Sequence, residues 1–326
     1  MSVINRLIGP WFSLCWFAPA IAAAPETFPA RPIRLISPFA PGGGNDIISR
    51  TLGAAVSKGL GQSIVVDNRP GANTIVAMEI LARATPDGYT LLTTSSSQAT
   101  NATLYSKLPY DTLRDFAPVS MVGTSPLVVA VNPALPIKNV SDLVAAAKAK
   151  PGSIMYPSAG TGNSTHLSGE LFAVMAGVTL THVPYKGLGP GMLDLMAGRL
   201  QVVFATAPSA IPHIKTGRLR GLAVTTAARS NLVPQLPTVA ESGVPGYEAG
   251  SWYGIISPAG TPRTIVARLN KEITSVLATP EFREQLMAAG ADPAPDTPDA
   301  FAAYIKSEIV KWAKVIKLSG AKAEGP

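Results

Sequence analysis

The sequence predicts an α/β protein built from two lobes of similar plan. Short apolar runs alternate with segments of helical periodicity, and glycine- and serine-rich loops follow several of the apolar runs. The unit of strand, loop and helix occurs at residues 33–58 and again at residues 154–176. This alternation is typical of parallel strands joined by crossover helices. With 326 residues, of which 47% are hydrophobic, the chain is long and apolar enough for two ordinary domains.

The N-terminal residues have the pattern of a secretory signal peptide. Arg6 is the first charged residue, residues 7–24 are apolar, and small side chains end the stretch. These are the charged, apolar and small-residue parts of such a peptide. A membrane anchor is the alternative, but two prolines interrupt the apolar stretch. We therefore expect residues 1–22 to be cleaved off on export. Because Cys15 is the only cysteine, the exported chain would contain no disulfide.

The first lobe begins with a regular succession of strands and helices. Leu35-Ile36 is apolar and precedes a glycine run, after which residues 46–58 carry apolar side chains at four-residue spacing. Pro86-Asp87-Gly88 is a turn, because proline fixes φ and glycine accepts a positive φ. We expect strands at residues 35–36, 64–66 and 89–94, and helices at residues 46–58 and about 70–83.

The second lobe repeats this succession, and a helical C-terminal part follows it. We expect strands at residues 127–131, 154–156, 202–204 and 222–224, and helices at residues 141–148 and 164–176. Near the C terminus, apolar residues at helical spacing form two stripes that should face the core. The stripes consist of Ile265, Leu269, Ile273 and Val276, and of Phe301, Ile305, Ile309 and Trp312.

Two glycine-rich segments fit an anion site better than a nucleotide site. Gly44 is followed by Asn45-Asp46, where a Walker loop needs Lys and then Ser or Thr. Neither residues 42–44 nor residues 160–162 continue to the third glycine of a dinucleotide fingerprint. Glycines let successive N–H groups point at one spot, and the helix that follows adds its positive N terminus. A tight turn without a ligand is the alternative for either segment alone, but two such segments favour binding of a carboxylate or phosphate.

Hydroxyl side chains follow three predicted strands, at residues 93–97, 158–165 and 206–209. Ligands of open α/β sheets bind outside the carboxyl ends of the strands. Hydroxyls and amides at these ends would form a neutral, hydrogen-bonding pocket that suits reversible recognition and is poor in groups for acid–base catalysis. Any one of these segments alone could equally be an ordinary turn.

Other kinds of chemistry find less support. A G-x-S-x-G elbow is absent, but a secreted hydrolase that uses Ser158 or Ser164 with His166 remains an alternative. His182 and His213 have no metal-ligand spacing and are interpreted as structural residues. The net charge of +7 has no Lys/Arg cluster, which argues against nucleic acid and favours small acidic molecules. We expect no cofactor and no metal.

Several motifs resemble one family along essentially the whole exported chain. They are, in order, RPIRLI with PFAPGGGND, then VDNRPGAN, ATPDGYTLL, YPSAGTGNSTHLSGELF, HVPYKG and LPTVAESGVPGYE. On these motifs the chain is similar to the Bug family, the extracytoplasmic solute receptors of tripartite tricarboxylate transporters.

The resemblance implies a two-lobed, type II-like periplasmic binding fold with the ligand cleft between the lobes. Lobe 1 would comprise residues 27–126 plus 250–326, and lobe 2 residues 127–249. It further implies a monomeric periplasmic receptor, not an enzyme, that closes on a small organic acid and delivers it to integral membrane permease subunits. A receptor that reports to a signalling protein instead is an alternative that the sequence does not separate.

The resemblance also implies which residues line the cleft. Two positions depart from the family pattern: Ala72-Asn73-Thr74 replaces a frequent glycine pair, and Ala205-Thr206 replaces a frequent Asp, which disfavours ligands with an amino group. Asp46 is expected to complement the helix dipole rather than to contact the ligand. The expected ligand-binding residues are Phe39, Ala40, Gly43, Gly44, Asn45, Asp46, Ser95, Ser96, Ser158, Gly160, Thr161, Ser164, His166, Tyr185 and Thr206.

Overall fold

The computed structural model describes residues 28–39, 41, 44–185 and 188–321. The predicted signal peptide and the expected site residues Ala40 and Gly43 lie outside these residues. The strands are β1 (Ile33–Ser37), β2 (Ile64–Asn68), β3 (Thr90–Ser95), β4 (Phe116–Ser125), β5 (Leu127–Val131), β6 (Met155–Ser158), β7 (Thr181–Pro184), β8 (Val202–Thr206), β9 (Arg220–Val224), β10 (Ser251–Pro258) and β11 (Asp292–Pro293).

Helices follow most of these strands directly. Among the residues described, no helix combines the length and the apolar character needed to cross a bilayer. The helices are α1 (Gly44–Leu60), α2 (Ile75–Ala82), α3 (Ser96–Leu104), α4 (Val140–Ala149), α5 (Ser164–Ala176), α6 (Leu188–Met196), α7 (Ala207–Lys215), α8 (Arg263–Ala278), α9 (Pro280–Ala288) and α10 (Pro298–Ser319).

The strands form separate groups in the two halves of the chain. One sheet has the order β11-β4-β10-β3-β1-β2, and the others have the orders β8-β5-β9 and β6-β7. All strands of the first sheet come from residues 33–125 and 251–293, and the strands of the other two come from residues 127–224. The first and last parts of the chain therefore share one sheet, with the middle part inserted between them.

The expectation of parallel strands is correct only in part. β1 pairs parallel with β2 and β3, and β6 pairs parallel with β7. In contrast, β10 is antiparallel to β3 and β4, and β5 is antiparallel to β8 and β9. The crossover rule applies to strands that a helix joins within one sheet. It does not apply to β10, because this strand enters the first sheet after the chain has returned from the second half.

The C-terminal helix connects the two halves. α10 packs against α3 and also against α5, and one hydrophobic cluster runs continuously from the first sheet through α10 to the second. Phe301, Ile305 and Trp312 on α10 are buried, which confirms that this predicted stripe faces the core. Glu308 on the same helix accepts hydrogen bonds from the indole Nε1 atoms of Trp252 (3.1 Å) and Trp312 (2.9 Å).

Helix α3 has no counterpart among the predicted elements. Its sequence, SSQATNATL, lacks an apolar period, yet most of its residues are buried. The buried polar groups are paired internally: Gln98 Oε1 accepts from the Thr94 hydroxyl at 2.7 Å, and Asn101 Oδ1 accepts from Asn73 Nδ2 at 2.8 Å. Such pairing makes a buried polar helix stable, but periodicity cannot reveal it.

Candidate ligand-binding site

On the first-lobe side, Asn45 joins the ends of two strands. Its Nδ2 donates to the Thr93 carbonyl at 3.1 Å, and its Oδ1 accepts from the Ser37 hydroxyl at 3.1 Å. Ser37 ends β1 and Thr93 lies near the end of β3, so the first turn of α1 is fixed against both strands. Gly44 begins this helix, and a β-carbon on it would lie 3.0 Å from the buried hydroxyl of Tyr253. The N terminus of α1 therefore abuts β10.

Asp46 holds the loop that precedes α1. The side chain is only 3% exposed, and its carboxylate contacts Arg50 Nη2 (3.0 Å) and Nε (3.1 Å). Asn68 Nδ2 donates both to Asp46 Oδ1 (2.8 Å) and to the carbonyl of Phe39 (2.9 Å). Asp46 thus takes part in a network that fastens Phe39 to the end of β2, in keeping with a structural role near the helix N terminus.

Ser95 and Ser96 lie where β3 passes directly into α3. Ser95 is the N-cap residue, but its side chain makes no capping hydrogen bond. Ser95, Ser96 and Ser97 are all buried. Ser96 and Ser97 form the first turn of α3, where main-chain amides have no partner within the helix itself.

On the second-lobe side, Ser158, Gly160 and Tyr185 lie together at the ends of β6 and β7. The Tyr185 amide donates to the Ser158 carbonyl at 3.2 Å, and the Gly160 amide donates to Ser158 Oγ at 3.1 Å. The Tyr185 hydroxyl donates to Asp194 Oδ2 at 2.6 Å, and this hydrogen bond raises the pKa of Tyr185. Ser158 is fully buried, and its Oγ also lies 2.6 Å from Nε2 of His182.

The segment from Gly160 to His166 forms a loop and the first turn of α5. Asn163 caps this helix by accepting from the Thr165 amide at 3.1 Å. His166 is buried, and its Nδ1 accepts from the Gly162 amide at 3.0 Å. Within the described part of the chain, the amides of residues 159–166 all donate hydrogen bonds except those of Thr161 and Ser164.

Thr206 ends β8 and is the N-cap residue of α7. Its hydroxyl lies 3.0 Å from that of Ser209, and it makes no capping bond to α7. Ser209 and Gly44 line a common cavity of about 340 Å³ between α1, α6 and α7. The start of α1 and Ser209, the contact partner of the expected site residue Thr206, therefore lie on one cavity.

The two sides meet at Gly162. The hydroxyl of Thr100 on α3 donates to the Gly162 carbonyl at 3.0 Å. A β-carbon on Gly162 would lie 2.3 Å from Leu104 Cδ1 and 3.2 Å from Asn73 Nδ2. Glycine is needed here both for this close approach and for its φ of +81°.

The described site residues form a set of helix starts with few charges. α1, α3, α5 and α7 all begin among the expected ligand-binding residues, which places partial positive charge and open amides there. The structure does not pair either candidate serine with His166: Ser158 contacts His182, and the Ser164 hydroxyl donates to Asn163 Oδ1 at 3.3 Å. Among the described residues, no group of three or more His, Asp or Glu side chains could hold a metal ion.

Sequence reasoning missed two parts of the site. His182, which the sequence predicts to be a structural residue, contacts the expected site residue Ser158. Tyr253, which abuts Gly44, was not selected at all. Both lie far along the chain from their partners, and neither has a local motif that could have indicated the contact.

Comparison with known proteins identifies the family of this chain. The profile of the tripartite tricarboxylate transporter family receptor matches residues 48–321. BugT of Bordetella pertussis is 38% identical over 324 residues, which cover 99% of each chain.

Three solved structures have the same fold over most of the chain. Rpa4515 of R. palustris, solved with adipate, is 37% identical, with a TM-score of 0.86 over 91% of this chain and 100% of its own. The periplasmic binding protein BugD is 32% identical, with a TM-score of 0.83 over 91% and 100% of the two chains. MatC of Rhodopseudomonas palustris, with bound malate, is 30% identical, with a TM-score of 0.80 over 89% and 100%. The expected two-lobed periplasmic binding fold is confirmed, and the chain belongs to the Bug family of tripartite tricarboxylate transporter receptors.

Proposed function

We propose that this protein is a monomeric periplasmic receptor that captures a small organic acid in a cleft between two lobes and delivers it to membrane permease subunits. One observation carries the proposal. Helices α1, α3, α5 and α7 begin at or directly after expected site residues, and the amides of Thr161 and Ser164 donate no hydrogen bond within the described ranges.

Open amides at helix N termini favour an anion for two reasons. Each amide needs an acceptor, and the helix dipole adds partial positive charge at the same place. Hydrogen bonds from neutral donors hold a carboxylate without a buried counter-charge, so the ligand can leave again when the donors separate. Related receptors solved with adipate and malate support the choice of small carboxylates.

The proposed lobes are residues 27–126 plus 250–326, and residues 127–249. The assignment of strands to separate sheets supports these bounds, since the chain passes between the sheets only at residues 125–127 and 224–251. The contact of Gly162 with α3 would form as the lobes approach each other. A ligand that contacts both lobes then shifts the population toward the closed form.

A hydrolase is the competing function that one contact favours. Ser158 Oγ lies 2.6 Å from His182 Nε2, which is the distance expected for a nucleophile and its base. However, Ser158 is fully buried and its Oγ already accepts the Gly160 amide, so it supports the loop rather than facing a substrate. A receptor for a signalling protein would use the same site and differs only in its partner.

The test is a titration of the protein isolated from the periplasm of a host that expresses the full chain. Adipate, malate, citrate, benzoate and glutamate would be added separately, with unfolding followed by heat and binding by calorimetry. An acid at 100 times its Kd should stabilise the folded protein by about 2.7 kcal/mol. Recovery of the unchanged acid by mass spectrometry would support a receptor. Consumption of an added ester, or no binding of any acid, would contradict the proposal.

A further inference from the structure

Two histidine rings lie stacked beneath the 159–163 loop. His166 is in the first turn of α5 and His182 is in β7, and their ring centroids are 3.8 Å apart with an interplanar angle of 26°. The ring of Tyr156 on β6 lies 5.2 Å from that of His182. Glu170, one helical turn after His166, places Oε1 3.6 Å from His166 Nε2. The rings are therefore enclosed by β6, β7 and α5.

The contacts of His166 determine where its proton lies. Nδ1 accepts the Gly162 amide at 3.0 Å, so Nδ1 carries no proton and the ring proton is on Nε2, facing Glu170. Tyr156 donates to the same carboxylate oxygen at 2.6 Å. Burial alone would raise the pKa of Glu170, but the neighbouring His166 ring and the hydrogen bond from Tyr156 outweigh it and lower the pKa. A charged carboxylate therefore holds His166 with its acceptor nitrogen toward the loop.

His182 acts on the loop through one intermediate. Its Nε2 lies 2.6 Å from Ser158 Oγ, and the same oxygen accepts the Gly160 amide at 3.1 Å. Burial, together with the neighbouring His166, lowers the pKa of His182 to about 4, so the ring is neutral at neutral pH. Hence one histidine holds the Gly162 amide directly and the other holds the Gly160 amide through Ser158.

These two glycines are the flexible points of the loop. Gly160 has a φ of +131° and Gly162 a φ of +81°, and glycine visits many other conformations at little cost. Other contacts must therefore stabilise the observed loop conformation. The two histidine-dependent hydrogen bonds do so on either side of Thr161, and the neighbouring cap by Asn163 fixes the start of α5.

We propose that His166 and His182 are positioning residues, which set the 159–163 loop so that the amides of Thr161 and Ser164 face the ligand. This inference rests on the proposed function, because it concerns how the same site binds an anion. It gives the two stacked rings one role: each forms part of a contact that occupies a glycine amide, which leaves the unpaired amides of Thr161 and Ser164 for the ligand.

The test combines ligand binding with amide exchange measured without ligand. H166L removes the acceptor for Gly162, whereas H166N restores an acceptor oxygen near the same position. H182F keeps a stacked ring but breaks the link to Ser158. F282L serves as the control for a shortened buried ring, since Phe282 lies on α9 in a hydrophobic cluster that contains no residue of β6, β7 or α5. Hydrogen exchange at each glycine amide would be followed by NMR, and Kd for adipate and malate by calorimetry.

We expect H166L to speed exchange at Gly162 and to weaken binding about tenfold, with H166N staying within about threefold of the wild type. H182F should speed exchange at Gly160, and F282L should change neither quantity. Equal behaviour of H166L and H166N, or unchanged exchange at both glycines, would overturn the inference. If the wild-type protein binds no acid, the proposed function fails, and the exchange rates still decide whether the two histidines hold the loop.

Discussion

Replacing Gly162 by alanine tests the contact at which the two sides of the site meet. The new β-carbon would lie 2.3 Å from Leu104 Cδ1, and the residue would have to keep a φ of +81°. The left-handed conformation costs a non-glycine residue about 1–2 kcal/mol. Moving Leu104 off its rotamer costs about 1 kcal/mol more. If the loop withdraws instead, the hydrogen bond from Thr100 is lost, at about 1 kcal/mol.

Gly177→Ala separates the two contributions. Gly177 also has a positive φ, +62°, but a β-carbon there would meet no atom within 4 Å. It caps the far end of α5, about 20 Å from the start of that helix. G177A therefore reports the backbone cost alone, and the difference between the variants reports the contact.

The assay compares urea unfolding and ligand titration for both variants and the wild type. We expect G162A to lower the unfolding free energy by about 2–3 kcal/mol and G177A by about 1–2 kcal/mol. Only G162A should weaken binding of the acid, by about tenfold, because the closed arrangement needs this contact. Equal loss of stability in both variants with unchanged affinity would show that the contact at Gly162 contributes nothing.

Three further predictions concern buried polar groups. The folded pKa of His182 is lowered to about 4, so the unfolded chain binds more protons than the folded protein between pH 6.5 and pH 4. The free energy of unfolding should therefore fall as the pH drops through this range. In H182F, the urea concentration at the unfolding midpoint should depend less on pH. E308A leaves two buried indole N–H groups unpaired and should lower the free energy of unfolding by about 2–4 kcal/mol, measured by thermal and urea unfolding. E308Q keeps an acceptor and should lose less stability. Equal losses in the two variants would contradict this prediction. D46N weakens the contact with Arg50 and should lower the free energy of unfolding by about 1–3 kcal/mol. R50Q should have a smaller effect, because Arg50 is about half exposed. A larger effect for R50Q would be evidence against the network.

Much of the site's framework could be predicted from the sequence. The glycine-rich segments before α1 and α5 indicated helix starts after strands, and both helices begin there, at Gly44 and Ser164. The hydroxyl-rich segments at residues 93–97 and 206–209 lie at strand ends, as predicted, but the helices α3 and α7 that begin there were not predicted. These features are local: they depend on turn chemistry and on periodicity within about ten residues.

The remaining features depend on distant parts of the chain. His182 contacts Ser158 because β6 and β7 pair in parallel, and nothing near either residue encodes that register. The antiparallel orientation of β10 in the first sheet depends on where the chain returns from the second half. The buried helix α3 is polar, so hydrophobic periodicity could not identify it. Patterns in the local sequence therefore could not identify contacts in which a polar side chain is paired with a partner from another strand.

The position of α10 has a consequence for the temperature dependence of binding. This helix packs against α3 in one half and α5 in the other, within one continuous apolar cluster. Any rotation of one half relative to the other must slide or separate one of these faces. Separation hydrates apolar surface and therefore raises the heat capacity of the open form. Calorimetric titrations over a range of temperatures should then give a binding enthalpy that becomes steadily more negative on warming, beyond what burial of a small polar acid alone would produce.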